Sequence, residues 1–280
     1  MERLTQLIYE DMKPALGVTE PGAIAFAVAT AKSHIQGTVQ QVDLRLNSGM
    51  YKNAFTCGIP GSDQVGNLSN GYTVLEGTMN LVQALYLNHQ VQPFDNVLVR
   101  QAMCYAVDVD AMLDLTADGH GTKVGSSMYP AFTKYFEPTL ADRYPHDVDK
   151  AKELLGQAGY SDGFEFTIKV PSNYAPHVNT AVVLAEQLKA VGITAQIQQV
   201  DWNTWLTEVY GNRDFEATVV GFDASTLNAS SLLARWVSDN GKNMINYSNA
   251  DYDAAFAAAQ ASTDDQERTA LYKQCLQILS

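Results

Sequence analysis

The sequence predicts an α/β fold, preceded by a short segment of two helices and a strand, and two observations carry this prediction. From residue 147 to residue 220, apolar residues change repeatedly from helical spacing to strict alternation, which is the element order of an α/β layer. In addition, 46% of the 280 residues are hydrophobic and 10% are aromatic, so the chain can bury one large or two ordinary domains.

Residues 1–60 predict the helix–helix–strand segment. Apolar residues at helical spacing end at Pro14, which stops the first helix. A second apolar stripe runs from Ile24 to Ile35 and predicts the second helix. Residues 42–46 then alternate apolar and charged side chains, as in a half-buried strand.

The pattern of residues 72–146 predicts extended segments, one helix and a long loop. The stretches YTVLEG and MNLVQALYLN are typical of two extended segments. A helix with its apolar side chains on one face is predicted to begin after Asp95. Residues 119–146 are rich in glycine and proline and are expected to form a loop.

Residues 147–280 predict the α/β layer itself. Asp147 is expected to cap a helix that Gly159 closes, and the next helix is expected to end at Gly192. The last helix has no capping residue at its end, so we expect the domain to be truncated there. The other predicted elements are a strand over residues 164–170, a strand from Ile193, a short helix near Trp205, a strand from Phe215 to Val220, a helix through Tyr252 and the last helix from Asp265 to Leu279.

The net charge of −13 is concentrated after residue 66. Residues 1–66 hold 5 basic and 6 acidic side chains, whereas residues 67–280 hold 13 and 25. Because so acidic a chain lacks clustered Lys and Arg, neither nucleic acid nor an anionic membrane is an expected partner. No apolar run is long enough for a membrane span, and residues 1–20 mix charges where a secretory signal needs an apolar core. As written, the chain is therefore expected in the cytoplasm.

The side chains that bind metals or act as nucleophiles form no local motif. Cys57, Cys104 and Cys275 are far apart without C-x-x-C spacing, and none of the five histidines has another four residues away. We therefore expect no cofactor and no metal, and Cys275 shares a helical face with apolar residues, which predicts core packing. The lack of a G-x-S-x-G elbow disfavours Ser–His–Asp catalysis.

Four long stretches carry a family resemblance. They are LYLNHQVQPFDNVLVRQAMCYAVDVDAML, DVDKAKELLGQAGYSDGFEFTIKV, AEQLKAVGITAQIQQVDWNTWL and NYSNADYDAAFAAAQASTDDQERTALYKQCLQIL. They resemble the family 5 solute-binding proteins, the peptide and nickel receptors of ABC importers. The resemblance implies a type II periplasmic-binding-protein-like fold whose two lobes close over an oligopeptide or similar solute outside the cytoplasm and deliver it to an ABC permease, without catalysis. Residues 67–92 would be a remnant of the first lobe and hinge, and residues 93–280 the second lobe.

Residues 1–66 resemble a different family. The stretches KPALGVTEPGAIAFAVATAK and NSGMYKNAFTCGIPGS are similar to the amino-terminal part of cysteine desulfidase-like proteins, relatives of iron–sulfur serine dehydratases. Members of that family that bind a cluster have cysteine at the position of Val18, so a cluster ligand is missing. Lys52 is the best candidate for binding an anionic substrate, with a solvated strand-end lysine as the alternative. We therefore expect a fusion of two fragments that join near residue 66.

The two resemblances give two candidate functions. The first is the solute-binding component of an ABC importer, which is not an enzyme. The second is a lyase, inherited from residues 1–66. The greater length of the receptor-like part favours the first. A chain with one receptor lobe cannot bury both faces of a ligand, so we expect weak or undetectable peptide affinity as written.

Three residues are the candidates for ligand contact. Asp223 follows a predicted strand, where α/β sheets present ligand groups. In the dipeptide-binding relatives that the chain resembles, an aspartate near this point holds the ligand's amino group. The alternative is that Asp223 lies in a surface turn without a ligand. Trp236 is a candidate cleft wall, because aromatic faces bind many side chains, whereas Trp205 shares a helical face with Val209 and is expected in the core. Tyr129 belongs to a glycine-rich loop that is expected either at the cleft rim near the ligand or in solvent.

Overall fold

The computed structural model describes residues 81–117, 119–223 and 228–280, which belong to one compact unit of residues 80–280. Within them, helices pack against a four-stranded mixed sheet, so the predicted α/β class is confirmed. The predicted helix–helix–strand segment and the extended segment YTVLEG lie outside the described residues, as do Val18, Lys52 and Cys57. No helix within the described ranges is long and apolar enough to cross a lipid bilayer.

The sheet combines parallel and antiparallel pairing. Its strands lie in the order β1–β4–β2–β3, with β1 antiparallel to β4 and with β2 parallel to both β4 and β3. The strands are β1 Leu81–Leu87, β2 Phe164–Pro171, β3 Ile193–Val200 and β4 Ala217–Asp223.

Seven α-helices longer than one turn lie within the described residues. They are α1 Val97–Ala106, α2 Val109–Ala117, α3 Val148–Gln157, α4 Ala175–Leu188, α5 Ala229–Ala234, α6 Ala250–Ala261 and α7 Asp265–Leu279. Two 3-10 turns occupy Pro138–Asp142 and Lys189–Val191, and one α-helical turn at Trp202–Thr204 continues as a π-helix over Trp205–Gly211.

The helix ends follow from local chemistry that the sequence already contained. The Asp147 carboxylate accepts a hydrogen bond from the backbone N–H of Lys150 at 2.8 Å, which confirms the predicted cap of α3. Gly159 and Gly192 have φ angles of 86° and 81°, the left-handed conformation that commonly follows a helix. The cap of α1 is Asn96, one residue later than predicted.

Two hydrophobic clusters pack against opposite faces of the sheet, and β4 contributes to both. Ala217 and Val219 belong to the cluster formed with α1, α3 and α4, whereas Val220 belongs to the cluster formed with the π-helix and α5–α7. Alternate residues of a strand point to opposite faces, so β4 is buried on both sides. Cys275 is fully buried in the second cluster, as predicted.

The structure departs from the predicted elements in three places. Helices α2 and α5 were not predicted. Helix α2 has no fully buried residue, and its Val109 and Leu115 are exposed. Strand β4 continues past Val220 to Asp223, because its last residues pair with β1. Asp223 is therefore the end of a strand rather than part of the loop after it.

Gly163 lies where β2 and β3 begin side by side. Its φ angle is 78°, and a Cβ atom placed on it would lie 1.9 Å from the carbonyl oxygen of Gly192. This close backbone approach precedes the pairing of Phe164 with Ile193, the first pair of the β2–β3 ladder. Only glycine fits such a position without moving the backbone.

Asn88, just after β1, ties this strand to the segment before β4. Its Nδ2 donates to the carbonyl oxygens of Arg213 and Phe215 at 3.1 and 2.9 Å. Its Oδ1 accepts from Asn246 at 2.9 Å and from the backbone N–H of Gln90 at 3.2 Å. Asn88 is 3% exposed and Phe215 is buried, so the hydrogen bond between them replaces bonds to water.

Replacing Asn88 by alanine is expected to lower the free energy of unfolding by about 2 kcal/mol, because the buried carbonyl oxygen of Phe215 loses its donor. Urea denaturation of the two proteins measures the change. Asn203→Ala is the matched control, since the Asn203 side chain is exposed and its hydrogen bonds use backbone atoms. Equal unfolding midpoints for the wild type and Asn88→Ala would contradict this role.

Candidate functional site

The carboxyl ends of three parallel strands meet at one edge of the sheet. Strands β3, β2 and β4 end there at Val200, Pro171 and Asp223, and β1 begins there because Leu81 pairs with Asp223. Ligands of α/β proteins commonly bind outside such an edge. The side chains around it are therefore the candidate site.

Aromatic side chains follow the ends of β2 and β3. Trp202 stacks on Trp205 with ring centroids 5.0 Å apart and 5° between the planes, and Tyr174 packs edge-on against Trp202. Trp205 is 1% exposed, and its Nε1 donates to the Thr218 hydroxyl at 2.9 Å. The prediction that Trp205 packs in the core is confirmed, whereas Trp202 is half-buried.

A small cavity beside the end of β4 contains two of the three predicted site residues. We call it the Trp236 pocket. Its volume is about 20 Å³, which is room for a group the size of a water molecule. It is lined by Val82 and Tyr86 of β1, Ser127 and Tyr129 of the loop after α2, Phe222 of β4, Leu232 of α5, and Arg235 and Trp236.

Tyr129 forms part of the pocket wall and is 2% exposed. Its hydroxyl donates to the carbonyl oxygen of Phe222 at 2.7 Å, which fixes the loop after α2 against β4. Burial, together with the negative charge of Asp223 and against the positive charge of Arg235, raises the pKa of Tyr129 to about 12. Tyr129 is therefore protonated at neutral pH, and the exposed Asp223 carboxylate lies close to the pocket without lining it.

Trp236 is packed between the strand and helix walls of the pocket. It is 4% exposed and stacks on Tyr86, with ring centroids 5.8 Å apart and 20° between the planes. Tyr86 also meets Phe222 edge-on at 5.3 Å. Burial raises the pKa of Tyr86 well above its usual range, so this wall is uncharged at neutral pH.

Arg235 brings a positive charge to this aromatic pocket. Its guanidinium carbon lies 4.0 Å from the centroid of the Phe222 ring, a cation–π contact. None of the ion pairs within the described ranges includes Arg235. Sequence reasoning missed Arg235, Ser127 and Tyr86; the only available signal was that Arg235 precedes Trp236.

A polar cluster on the opposite face of β1 fixes this strand against α4. The Gln83 side chain donates to the hydroxyl of Thr180, and its Oε1 contacts Nδ1 of His177. Nε2 of His177 accepts from the backbone N–H of Gly221 at 3.3 Å. The cluster therefore joins both strands that line the Trp236 pocket to one helix.

No group of three or more His, Cys, Asp or Glu side chains suited to hold a metal ion occurs in the part of the chain that the structure describes. The donors around the Trp236 pocket are instead hydroxyl, indole and guanidinium groups. These groups bind organic polar atoms or anions rather than metals.

Comparison with known families identifies the class of protein. Residues 37–244 match the family described as bacterial extracellular solute-binding proteins, family 5 Middle. This match covers more than half of the chain and includes all the residues that line the Trp236 pocket. The chain belongs to the family 5 solute-binding proteins. The match begins within residues 1–66, whose resemblance to cysteine desulfidase-like proteins stays a prediction.

Curated relatives of the chain include proteins named for binding glutathione and di- or tripeptides. The chain is 33% identical over 204 residues to the glutathione-binding protein GsiB of Salmonella choleraesuis, an alignment that covers 69% of this chain and 39% of that protein. It is 32% identical over 195 residues to di/tripeptide-binding protein 3 of Pseudomonas aeruginosa, covering 67% of this chain and 36% of that protein. The chain thus spans well under half the length of these relatives.

Solved structures of family 5 proteins have the same fold over the matched part. DppA of Helicobacter pylori, in complex with the peptide STSA, has a TM-score of 0.64 at 29% identity, covering 71% of this chain and 39% of that one. A dipeptide-binding protein of Pseudoalteromonas in complex with Met-Leu has a TM-score of 0.64 at 26% identity, covering 71% and 41%. The predicted lobe of a type II periplasmic-binding-protein-like fold is confirmed.

Proposed function

We propose that this chain is the substrate-binding component of an ABC importer and that it binds a short peptide or a similar solute. The observation that carries the proposal is the aromatic Trp236 pocket beside Asp223, at the sheet edge where α/β proteins commonly bind ligands. The names of the matched relatives, which bind glutathione and di- or tripeptides, support the class of solute.

The proposed role of Asp223 is to bind the ammonium group of the solute. Its carboxylate is exposed at the end of β4, and its charge acts on Tyr129 in the pocket wall. A peptide whose amino group binds Asp223 would therefore lie over the Trp236 pocket. Trp236 and Tyr129, which line that pocket, would then contact the group of the solute that enters it.

Asp223→Asn is expected to weaken binding of a mixture of unblocked tripeptides at least about tenfold, because a hydrogen bond between charged groups is lost. NMR titration of the tryptophan indole N–H signals measures even weak binding. The same tripeptides with acetylated amino groups should bind both proteins equally weakly. Asp239→Asn, which changes another exposed aspartate, should bind as the wild type does. Equal affinity of the wild type and Asp223→Asn for unblocked tripeptides would exclude this role.

We further propose the domain division that the resemblances imply, with residues 1–66 as a fragment related to cysteine desulfidase-like proteins, residues 67–92 as a first-lobe remnant and hinge, and residues 93–280 as the second lobe. A receptor of this family would act outside the cytoplasm and deliver its solute to an ABC permease. Mass spectrometry of proteins from the source organism tests the fusion. A peptide spanning residues 59–72 supports it, and peptides from two separate parent proteins contradict it.

A further inference from the structure

Three buried polar atoms without a hydrogen-bond partner within the described residues belong to side chains that line the Trp236 pocket. They are the hydroxyl oxygen of Ser127, Nη1 of Arg235 and Nε1 of Trp236. Among the described residues only one further atom of this kind occurs, the Tyr247 hydroxyl, whose residue does not line the pocket. Buried polar atoms in native proteins almost always have a partner, so three such atoms on side chains around one small pocket indicate that a polar group binds there.

The chemistry of these atoms restricts what the occupant can be. A guanidinium group and an indole N–H are donors only, and a serine hydroxyl can donate as well. The occupant must therefore accept hydrogen bonds, and the positive charge of Arg235 favours an anion. Because the pocket has only about 20 Å³, it fits the end of a carboxylate better than a bulky phosphate.

We propose that Ser127, Arg235 and Trp236 form a subsite that binds a carboxylate group of the solute. This inference rests on the proposed function, since it assigns the solute to the same cleft and narrows its class to molecules with a free carboxylate. With Asp223 beside the pocket, a solute that carries both an ammonium and a carboxylate group satisfies both charges. The alternative occupant is a single ordered water molecule, which the pocket is also large enough to hold.

The test follows the indole N–H signal of Trp236 by NMR in the full chain. The protein has three tryptophans, so Trp236→Phe assigns the signal. Sodium acetate is the probe, acetamide is its neutral counterpart of the same shape, and sodium chloride at equal ionic strength controls for salt. The subsite predicts a saturable shift with acetate alone.

Variants separate the effect of Arg235 on acetate binding from the effect of removing any positive charge. Arg235→Gln should weaken acetate binding at least tenfold, and Ser127→Ala should weaken it by a smaller factor. Arg268→Gln is the matched control, because Arg268 pairs with Asp265 outside the pocket, and it should bind acetate as the wild type does. If Arg235→Gln does not fold, Ser127→Ala alone still has to weaken the binding.

The remaining outcomes distinguish a carboxylate from a water molecule as the occupant, and the subsite from the proposed function. Equal shifts with acetate and acetamide, or no shift with either, would overturn the subsite in favour of a water molecule. Tripeptide binding that is unchanged when the carboxyl group is amidated would overturn the subsite but leave the proposed function standing. Acetate binding without tripeptide binding, even at millimolar tripeptide, would leave the subsite and refute a short peptide as the solute.

Discussion

Replacing Trp205 by alanine is expected to lower the free energy of unfolding by about 3–5 kcal/mol, the range seen when a buried aromatic side chain is removed. Trp205 is almost fully buried in the cluster between the π-helix and α5–α7. The substitution removes its stacking on Trp202 and leaves the Thr218 hydroxyl without its indole donor. Urea denaturation followed by far-UV circular dichroism measures the loss without relying on tryptophan fluorescence.

Trp205→Phe separates the contribution of the buried apolar volume from that of the hydrogen bond to Thr218. Phenylalanine keeps most of the apolar volume but donates no hydrogen bond to Thr218, so we expect a smaller loss of about 1–3 kcal/mol. Trp202→Ala should also cost less than Trp205→Ala, because Trp202 is only half-buried. A Trp205→Ala protein as stable as Trp202→Ala would contradict the assignment of Trp205 to the core.

Gly163→Ala is expected to lower the free energy of unfolding by about 3–5 kcal/mol, because two costs add. The first is the strain of a side chain at a φ angle of 78°, and the second is the overlap of the new Cβ with the carbonyl oxygen of Gly192 at 1.9 Å. Relieving that overlap must separate the starts of β2 and β3, where Phe164 pairs with Ile193. Urea denaturation measures the loss, and a failure to fold would agree with it.

Gly159→Ala is the control that separates backbone strain from the overlap with the carbonyl oxygen of Gly192. Gly159 has a similar φ angle of 86°, but nothing lies within 4 Å of the position that its Cβ would occupy. The control should therefore show only the backbone strain, about 1–2 kcal/mol. Similar losses at Gly159 and Gly163 would mean that the approach of Gly192 contributes nothing.

The elements that sequence reasoning predicted well are those specified by neighbouring residues. Asp147 and Gly159 define the two ends of α3 through a local hydrogen bond and a left-handed backbone, and both are visible in the sequence. The end of β4, which it missed, depends on a distant contact. The last residues of β4 are extended because β1 pairs with them, and aspartate by itself is unfavourable in a strand.

The residues of the candidate site also fall into those that the sequence predicted and those that it did not. Asp223, Trp236 and Tyr129 could be predicted from a strand end, a large aromatic residue and a glycine-rich loop, although their contact with a solute stays a prediction. Tyr86 and Arg235 could not, because the stacking of Tyr86 on Trp236 joins residues far apart in the chain. Sequence spacing has no information about such a pair until the fold brings β1 next to the residues that follow α5.

The pairing of β1 with β4 has a consequence for synthesis of the protein. Leu87 leaves the ribosome long before its partner Ala217 has been made. At a translation rate of roughly 5–20 residues per second, about 6–26 seconds pass between the synthesis of Leu87 and that of Ala217. During that interval β1 lacks its β4 partner, so its apolar side chains are a binding site for a molecular chaperone.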